Sequence, residues 1–442
     1  MQAENSYKYI WKISYPIILG GVAQTVINVT DTAFMGRVSE VAIGASAIAA
    51  LFYVTFYILG FGFSIGAQIL IARLDGEKNH IQIGKVFSHT LYFLLMLATV
   101  VFVFLKWFSP AVLNYFVSSK AVLQASLDYI DYRAWGIFFA FIGLAIRSFF
   151  VGISNTRIVI YTTLISAISN IILNYIFVFG NESIEPMGIG GSALASSLSE
   201  VLATLFAIFY VYRKKGIEIY KLFPFSKLNT TTVKQILNMA VPIMFQSFIA
   251  LFSWFVFFMI VEQMGERPLA ISNLVRNVYM VLMIPLMGFG SATNTLVSNA
   301  IGQGYSKPKV FQLINKIMFF SFALTLAITL LNMLMPELVL SIFTNDAELI
   351  KQTIPSLWII SGSIQLFALT NVLLCSVSGT GNTVASLVIE VITILFYLFA
   401  TYLMAVKWKY SIEWVWSVEY VYFGFMGALS FVYLRYGKWS KG

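Results

Sequence analysis

"YPIILGGVAQTVINVTDTAFMG" (residues 15–36) is an apolar run of helical length that carries an acid, Asp31, near its end, with Gln24 and Asn28 on the way. A helix needs about 20 such residues to cross a bilayer core of roughly 30 Å. The run is about twice the length of a signal-peptide core and no small-residue cleavage site follows it, so it reads as a retained span. Working outward, similar runs recur near 10–35, 44–72, 86–108, 125–151, 158–179, 190–212, 235–262, 270–298, 310–334, 352–376, 383–406 and 414–435. With 442 residues, 59% hydrophobic and 11% charged, at a mean hydropathy of +0.84, nothing is left over for a soluble domain. The fold class is an all-α integral membrane protein of twelve transmembrane helices.

Positive charge sets the orientation. With the N-terminus inside, the cytoplasmic loops hold Arg73, Lys78, Lys85, Arg157, Lys307 and Lys309; a central segment adds Arg213, Lys214, Lys215, Lys221, Lys227 and Lys234, and the tail Arg435, Lys438 and Lys441. The opposite side is sparser and is offset by Glu40, Glu182, Glu185, Glu266 and Glu337. The bias predicts both termini cytoplasmic in a cell (inner or plasma) membrane. It also accounts for the net charge of +9 without nucleic acid, since no stretch joins a basic patch to exposed aromatic platforms. One cysteine, Cys375, excludes an internal disulfide, and two histidines, His80 and His89, are too few for a histidine metal centre. A membrane-embedded enzyme needs such side chains deep in its site, so the chain reads as a non-enzyme without a cofactor.

A shift of 226 residues repeats the punctuation. Pro16 meets Pro242, Pro110 meets Pro336, Gly76 meets Gly302, and Gly62-Phe63 meets Gly288-Phe289. At an offset of 227, "GISNT" (152–156) meets "GTGNT" (379–383). The chain is therefore two copies of a six-helix unit. We place the copies at 1–212 and 235–442, joined by a basic cytoplasmic linker at 213–234. Six helices return the chain to its starting side, so the two bundles are parallel, pseudo-symmetric repeats, as in transporters that rock two bundles about a central site.

The residues resemble the multidrug and toxic compound extrusion (MATE) transporters. The resemblance rests on the paired prolines of the first and seventh helices, "DTAFMG" (31–36), "NIILNYIFVFG" (170–180), "GIGGSALAS" (188–196) and "GTGNT" (379–383), and covers nearly the whole chain. It points toward the DNA-damage-inducible (DinF-like) branch. It implies that the first-helix acid, Asp31, joins Asn170, the position of Asn174 and a hydroxyl of the sixth helix at a cation site. Many members have an aspartate where this chain has Asn174, which removes one negative charge and tilts the expectation from Na⁺ toward H⁺. The family's glutamate eight residues after the seventh-helix proline is Ala250 here, which argues against an ion site in the second copy.

The two copies differ most along this stripe. Gly20, Gln24, Asn28, Asp31 and Met35 share a helical face, whereas the second copy has Gln246, Ala250, Trp254, Phe257 and Val261. A carboxylate in lipid is expensive unless paired, hydrated or protonated, so Asp31 is expected to face an interior cavity and bind the coupling ion. The alternative is a wetted residue near the helix end. Asn170, Asn174 and Ser196 add amide and hydroxyl oxygens suited to Na⁺ or to a proton relay, or else act as packing glue. Glu200 either replaces the missing charge or pairs structurally, with Arg147 as partner. Arg276 and Glu390 are open to the same choice, pairing or transport.

Tyr53, Trp254 and Tyr279, with Phe257, Met259, Met280 and Met283, are candidate walls for flat cationic compounds through cation–π and thioether contact, against a lipid-facing or core role. Gln24, Asn28, Gln68, Gln246 and Asn294 are candidate polar contacts. Pro16 and Pro242 interrupt their helices as hinges or static kinks. The expected activity is efflux of amphipathic, cationic compounds by a monomer in antiport with inward H⁺ or Na⁺. The alternative is a flippase for a lipid-linked sugar or lipid. That activity calls for several cavity cations, whereas the sequence offers one strong mid-helix cation, Arg276.

Overall fold

The structure, a computed structural model, describes residues 6–223 and 225–439. Lys441, counted above in the tail, lies outside them. Among the described residues twelve helices are long and apolar enough to cross a membrane: α1 (Tyr7–Val38), α2 (Glu40–Gly76), α3 (His80–Trp107), α4 (Lys120–Gly152), α5 (Arg157–Phe179), α6 (Gly188–Arg213), α7 (Thr230–Glu262), α8 (Glu266–Gly302), α9 (Lys307–Leu334), α10 (Ala347–Gly379), α11 (Thr383–Lys407) and α12 (Ile412–Tyr436). Eleven of the expected spans fall inside one of them, and the twelfth, 86–108, overshoots the end of α3 at Trp107 by one residue.

The helices outrun the apolar stretches because caps, not hydropathy, set their ends. Ser39 accepts from the Ala42 N–H at 3.0 Å, Asn79 from Gln82 at 3.3 Å and Asn382 from Ala385 at 3.1 Å, each outside the greasy run. Two short helices, Ser109–Phe116 and Pro336–Ser341, escaped the sequence reading because neither is long enough to span. Both carry one of the repeated prolines, Pro110 or Pro336, in the first turn, where the missing N–H costs nothing. The last residues of α11, Leu403–Lys407, form a π-helical turn, and α12 breaks between Trp416 and Val418.

The chain divides into two compact units: Leu19–Met244, and the described residues of Met1–Ile18 with those of Phe245–Gly442. The boundary lies inside α1, just past Pro16, and inside α7, just past Pro242, rather than in segment 213–234. Close backbone approaches explain the membership. A Cβ on Gly62 would stand 2.8 Å from Met244 Cα, and one on Gly66 would stand 2.3 Å from Ala240 Cα, so α2 takes the first half of α7 into the first unit. In the second unit a Cβ on Gly288 would stand 2.4 Å from Ile18 Cγ1, so α8 takes the first half of α1 in the same way. Both members of the pair Gly62 and Met244 are shifted by 226 relative to Gly288 and Ile18.

The repeat extends to the turns. Gly152 packs on the Gln68 carbonyl and Gly379 on the Asn294 carbonyl, where added Cβ atoms would come within 3.1 and 3.3 Å. The left-handed positions Lys78 and Ser154 in the first copy become Gly304 and Gly381 in the second. Segment 213–234 docks on α3. The Tyr220 carbonyl sits where a Cβ on Gly84 would be, at 2.0 Å. Asn229 N–H donates to His89 Nε2 at 2.8 Å, and His89 Nδ1 lies 2.7 Å from the Lys85 carbonyl. Burial, with Asp75 beside it, pushes the Tyr220 phenol up to about 12. His80 meets the Tyr220 ring edge-on. Both histidines thus serve the docked segment.

Candidate functional site

Within Leu19–Met244, the second half of α1 lies against α5 along a flank of small and branched residues. A Cβ on Gly20 would reach Val159 Cγ1 at 3.0 Å, and Ala23 and Ile27 form a buried cluster with Ala167. One turn further, the same contact line brings Asp31 to Asn174. Gln24 and Asn28 sit on the other flank of the stripe, exposed, with Gln24 Nε2 donating to Asn28 Oδ1 at 3.4 Å. Asp31 is half-buried at the seam between the two flanks.

The polar residues proposed from sequence converge here. Asn174 Nδ2 donates to Asp31 Oδ1 at 2.7 Å, Ser196 Oγ to Asp31 Oδ2 at 3.4 Å, and Asn170 Nδ2 to Ser196 Oγ at 3.1 Å. Asn170 and Asn174 are fully buried, at 0% exposure. Among the described residues neither amide oxygen has a partner. A carboxylate, two unsatisfied amide oxygens and a hydroxyl form a donor set that fits a hard cation, and the same carboxylate accepts a proton. Gly188 opens α6 with φ +54°, and a Cβ on Gly191 would meet the Phe177 carbonyl at 2.5 Å, so these glycines serve the close α5–α6 packing that brings Ser196 to Asn170.

Glu200 is paired, but not with Arg147. Arg133 on α4 grips it with both ends of its fork, Nη1 to Oε2 at 2.7 Å and Nη2 to Oε1 at 2.5 Å. Arg147 instead lies over the Phe61 ring, 5.4 Å from its centroid. The physical reason is Gly136, where a Cβ would strike Arg133 Nη1 at 2.5 Å and Glu200 Oε2 at 2.9 Å. Only the bare backbone there lets the guanidinium lie between α4 and α6. Arg133 also stacks on Tyr53 at 4.1 Å and lies within electrostatic reach of Tyr129 and Asp31. Arg276 is therefore not the sole mid-helix cation. The readable signal for Arg133 was an arginine in an apolar helix with a glycine one turn later.

In the other unit, Gln246 accepts from Ser386 Oγ at 3.1 Å, and Trp254 packs on Tyr279 at 5.0 Å. Phe257 is buried against Trp416 and Tyr397, while Met259 and Met280 are exposed. Arg276 lies over Phe258, and Glu390 accepts from Tyr422 Oη at 2.5 Å. Among the described residues Arg276 and Glu390 form no ion pair with each other. Tyr53, Gln68, Tyr279 and Asn294 are buried within their own units. A cavity of about 570 Å³ opens in the first unit, at the loop end of α2, lined by Arg73, Glu77, Gln82, Thr232 and Gln235. It is remote in sequence from the residues around Asp31.

Comparison with known proteins adds relatives to this geometry. The sequence model of the MatE family matches residues 16–176 and 242–403, one copy of the repeat each. A probable multidrug resistance protein NorM of Thermotoga maritima is 24% identical over 98% of this chain and 93% of its own length. A probable multidrug resistance protein NorM of Idiomarina loihiensis is 24% identical over 69% of this chain, a match that spans 66% of that protein. A solved outward-facing multidrug resistance MATE transporter of the MOP superfamily superposes with a TM-score of 0.89 at 19% identity, covering 97% of this chain and 95% of its own. The last likeness shows the fold: an all-α membrane protein of two six-helix bundles.

Proposed function

The chain belongs to the MatE family, and on that premise we propose that it exports amphipathic, cationic compounds in exchange for an inward-moving cation. The observation that supports this most is the Asp31 carboxylate, held by Asn174 at 2.7 Å and by Ser196 among the spanning helices α1, α5 and α6. A carboxylate at that depth is tolerated where it binds and releases a positive charge. The names of the relatives as probable multidrug resistance proteins support a drug-like cargo. We place the protein in the cell membrane with both termini cytoplasmic, acting as a monomer and without a cofactor.

We assign H⁺ as the coupling ion. Asn174 contributes no charge and Glu200 is neutralised by Arg133, which leaves a single free negative charge, Asp31, to bind the ion. Na⁺ is the second reading, favoured by the unpartnered amide oxygens of Asn170 and Asn174. In operation, ion binding at Asp31 in the outward-open state competes with substrate and releases it. The units then rock at Pro16 and Pro242, next to which their boundaries fall. Tyr53, Gln68, Gln246, Trp254, Tyr279 and Asn294, with Gln24 and Asn28, are the side chains we assign to substrate contact. A lipid-linked sugar flippase fits less well, because the buried cation Arg133 is already committed to Glu200.

The test is ethidium efflux from proteoliposomes under separately imposed H⁺ and Na⁺ gradients. Acceleration by the H⁺ gradient alone is the expected result. Efflux indifferent to both gradients removes the antiport reading.

A further inference from the structure

The unit formed around Phe245–Gly442 holds acids that the mechanism above does not use. Glu390 on α11 and Glu419 on α12 are 3% and 1% exposed. Glu390 accepts a hydrogen bond from Tyr422 Oη at 2.5 Å, and Glu419 accepts one from Tyr397 Oη at 3.2 Å. In each carboxyl the second oxygen, Oε2, is buried and has no partner among the described residues. The two tyrosines pack ring on ring, 5.2 Å between centroids, so the acids belong to one cluster spanning two helices.

Among the described residues no cation pairs with either acid of the cluster. Tyr279 faces it from α8, Cys375 from α10, Tyr397 from α11 and Tyr422 from α12. Phe257 and Trp416 close it with apolar surface, and Arg276 of the same unit is engaged over Phe258. An ionised carboxylate without a cation or a full set of donors is among the most expensive groups to bury. The first unit solved the same problem for Glu200 with Arg133, and this unit did not.

We propose that Glu390 and Glu419, bridged by Tyr397 and Tyr422, form a second proton-exchange site, so that export is coupled to protons in both units. The inference rests on the antiport reading and extends it to a copy of the repeat whose usual family acid is replaced by Ala250. The balance is simple. A proton from bulk water adds to Oε2 of a carboxylate and gives a neutral acid that still accepts its tyrosine hydrogen bond through Oε1. When a conformational change wets the cluster, the same proton returns to water and the carboxylate is hydrated. No oxidant or second reactant is needed.

The experiment is infrared difference spectroscopy of the purified full-length protein through a pH titration, following the C=O stretch of protonated carboxylic acids. Ethidium efflux under an imposed pH gradient is measured in parallel. Glu390→Gln and Glu419→Gln should each remove a pH-dependent part of the acid band distinct from the part removed by Asp31→Asn. Each should also lose the acceleration that the pH gradient gives. Because a glutamine variant can fail to fold, Tyr422→Phe and Tyr397→Phe, which keep both acids, should shift the acid band by deleting its hydrogen-bond donor. A band untouched by all four variants, or one that they alter but that never titrates, overturns the proposal. If wild-type vesicles show no gradient-driven efflux, the antiport reading fails while the infrared titration still decides whether these acids exchange protons.

Discussion

The two units bury acids in opposite ways. In Leu19–Met244, Glu200 is gripped by Arg133, and Asp31 sits half-buried among amides and a hydroxyl. In the other unit, Glu390 and Glu419 are buried among tyrosines and tryptophan, and among the described residues neither forms an ion pair. A duplicated scaffold has thus kept its helix packing, down to the matched glycines Gly62 and Gly288, while its interior chemistry diverged. Packing constrains volume tightly, whereas the identity of a buried polar group matters only where it binds something or where it lacks a partner.

The largest expected effect breaks the comparison at its polar end. Asp31→Asn should reduce gradient-driven ethidium efflux to the level of protein-free vesicles while leaving insertion and melting temperature unchanged; wild-type efflux in this variant would falsify its role. Next comes the ion pair. Arg133→Met alone leaves Glu200 as an unpaired, half-buried charge and should cost about 3 kcal/mol of stability. Adding Glu200→Leu should recover much of that loss. Thermal unfolding in detergent reads both, and equal losses in the single and double variants would mean that the pair is not what stabilises this region.

The packing half of the comparison is tested by Gly66→Val, which drives a side chain into the Ala240 backbone and should cost about 1–3 kcal/mol. Gly44→Ala, in open space with nothing within 4 Å of the added Cβ, is the matched control and should be neutral or better. The smallest effect concerns a cap that the repeat has changed. Ser119 and Asp346, 227 residues apart, cap the N–H groups of Val122 and Leu349, at 3.4 and 3.0 Å. The Leu349 N–H, and then Arg267, hold the exposed Asp346 carboxyl below its ordinary value of 3.8. A lowered folded value means that its contribution is complete above the ordinary value and disappears as the pH falls through the lowered one. Asp346→Ser should therefore lower the melting temperature slightly near neutral pH and not at all below the carboxylate range. A gap between wild type and variant that persists in acid would show that charge is not the reason.

Much of this was legible in the chain. Apolar runs gave all twelve spans, because lipid demands a length of helix that soluble packing does not. The repeat gave the duplication, and the Asp31 stripe with Asn170, Asn174 and Ser196 pointed to residues that do meet. The partner of Glu200 was misread. Arg147 looked suitable by position along the sequence, but which face of α4 meets α6 depends on the bare backbone at Gly136. Nothing in the local pattern singled out Glu419 and its tyrosine, because an acid close to the end of an apolar run ordinarily stays wetted. Its burial follows from how α12 breaks at Ser417 and packs against α11.

By itself the sequence determined that this chain crosses a membrane, how often, in two copies, and which copy retains a polar stripe. Those properties follow from hydropathy and periodicity, which are sums over neighbouring residues. Only the tertiary structure decided that the halves of α1 and α7 before Pro16 and Pro242 belong to the opposite unit from the rest of their copy, that Arg133 neutralises Glu200, and that Glu390 and Glu419 are buried with no ion pair among the described residues. Those facts depend on contacts between residues far apart in the chain, set by steric fit at a few glycines, and no local pattern encodes which distant surface will fill the space.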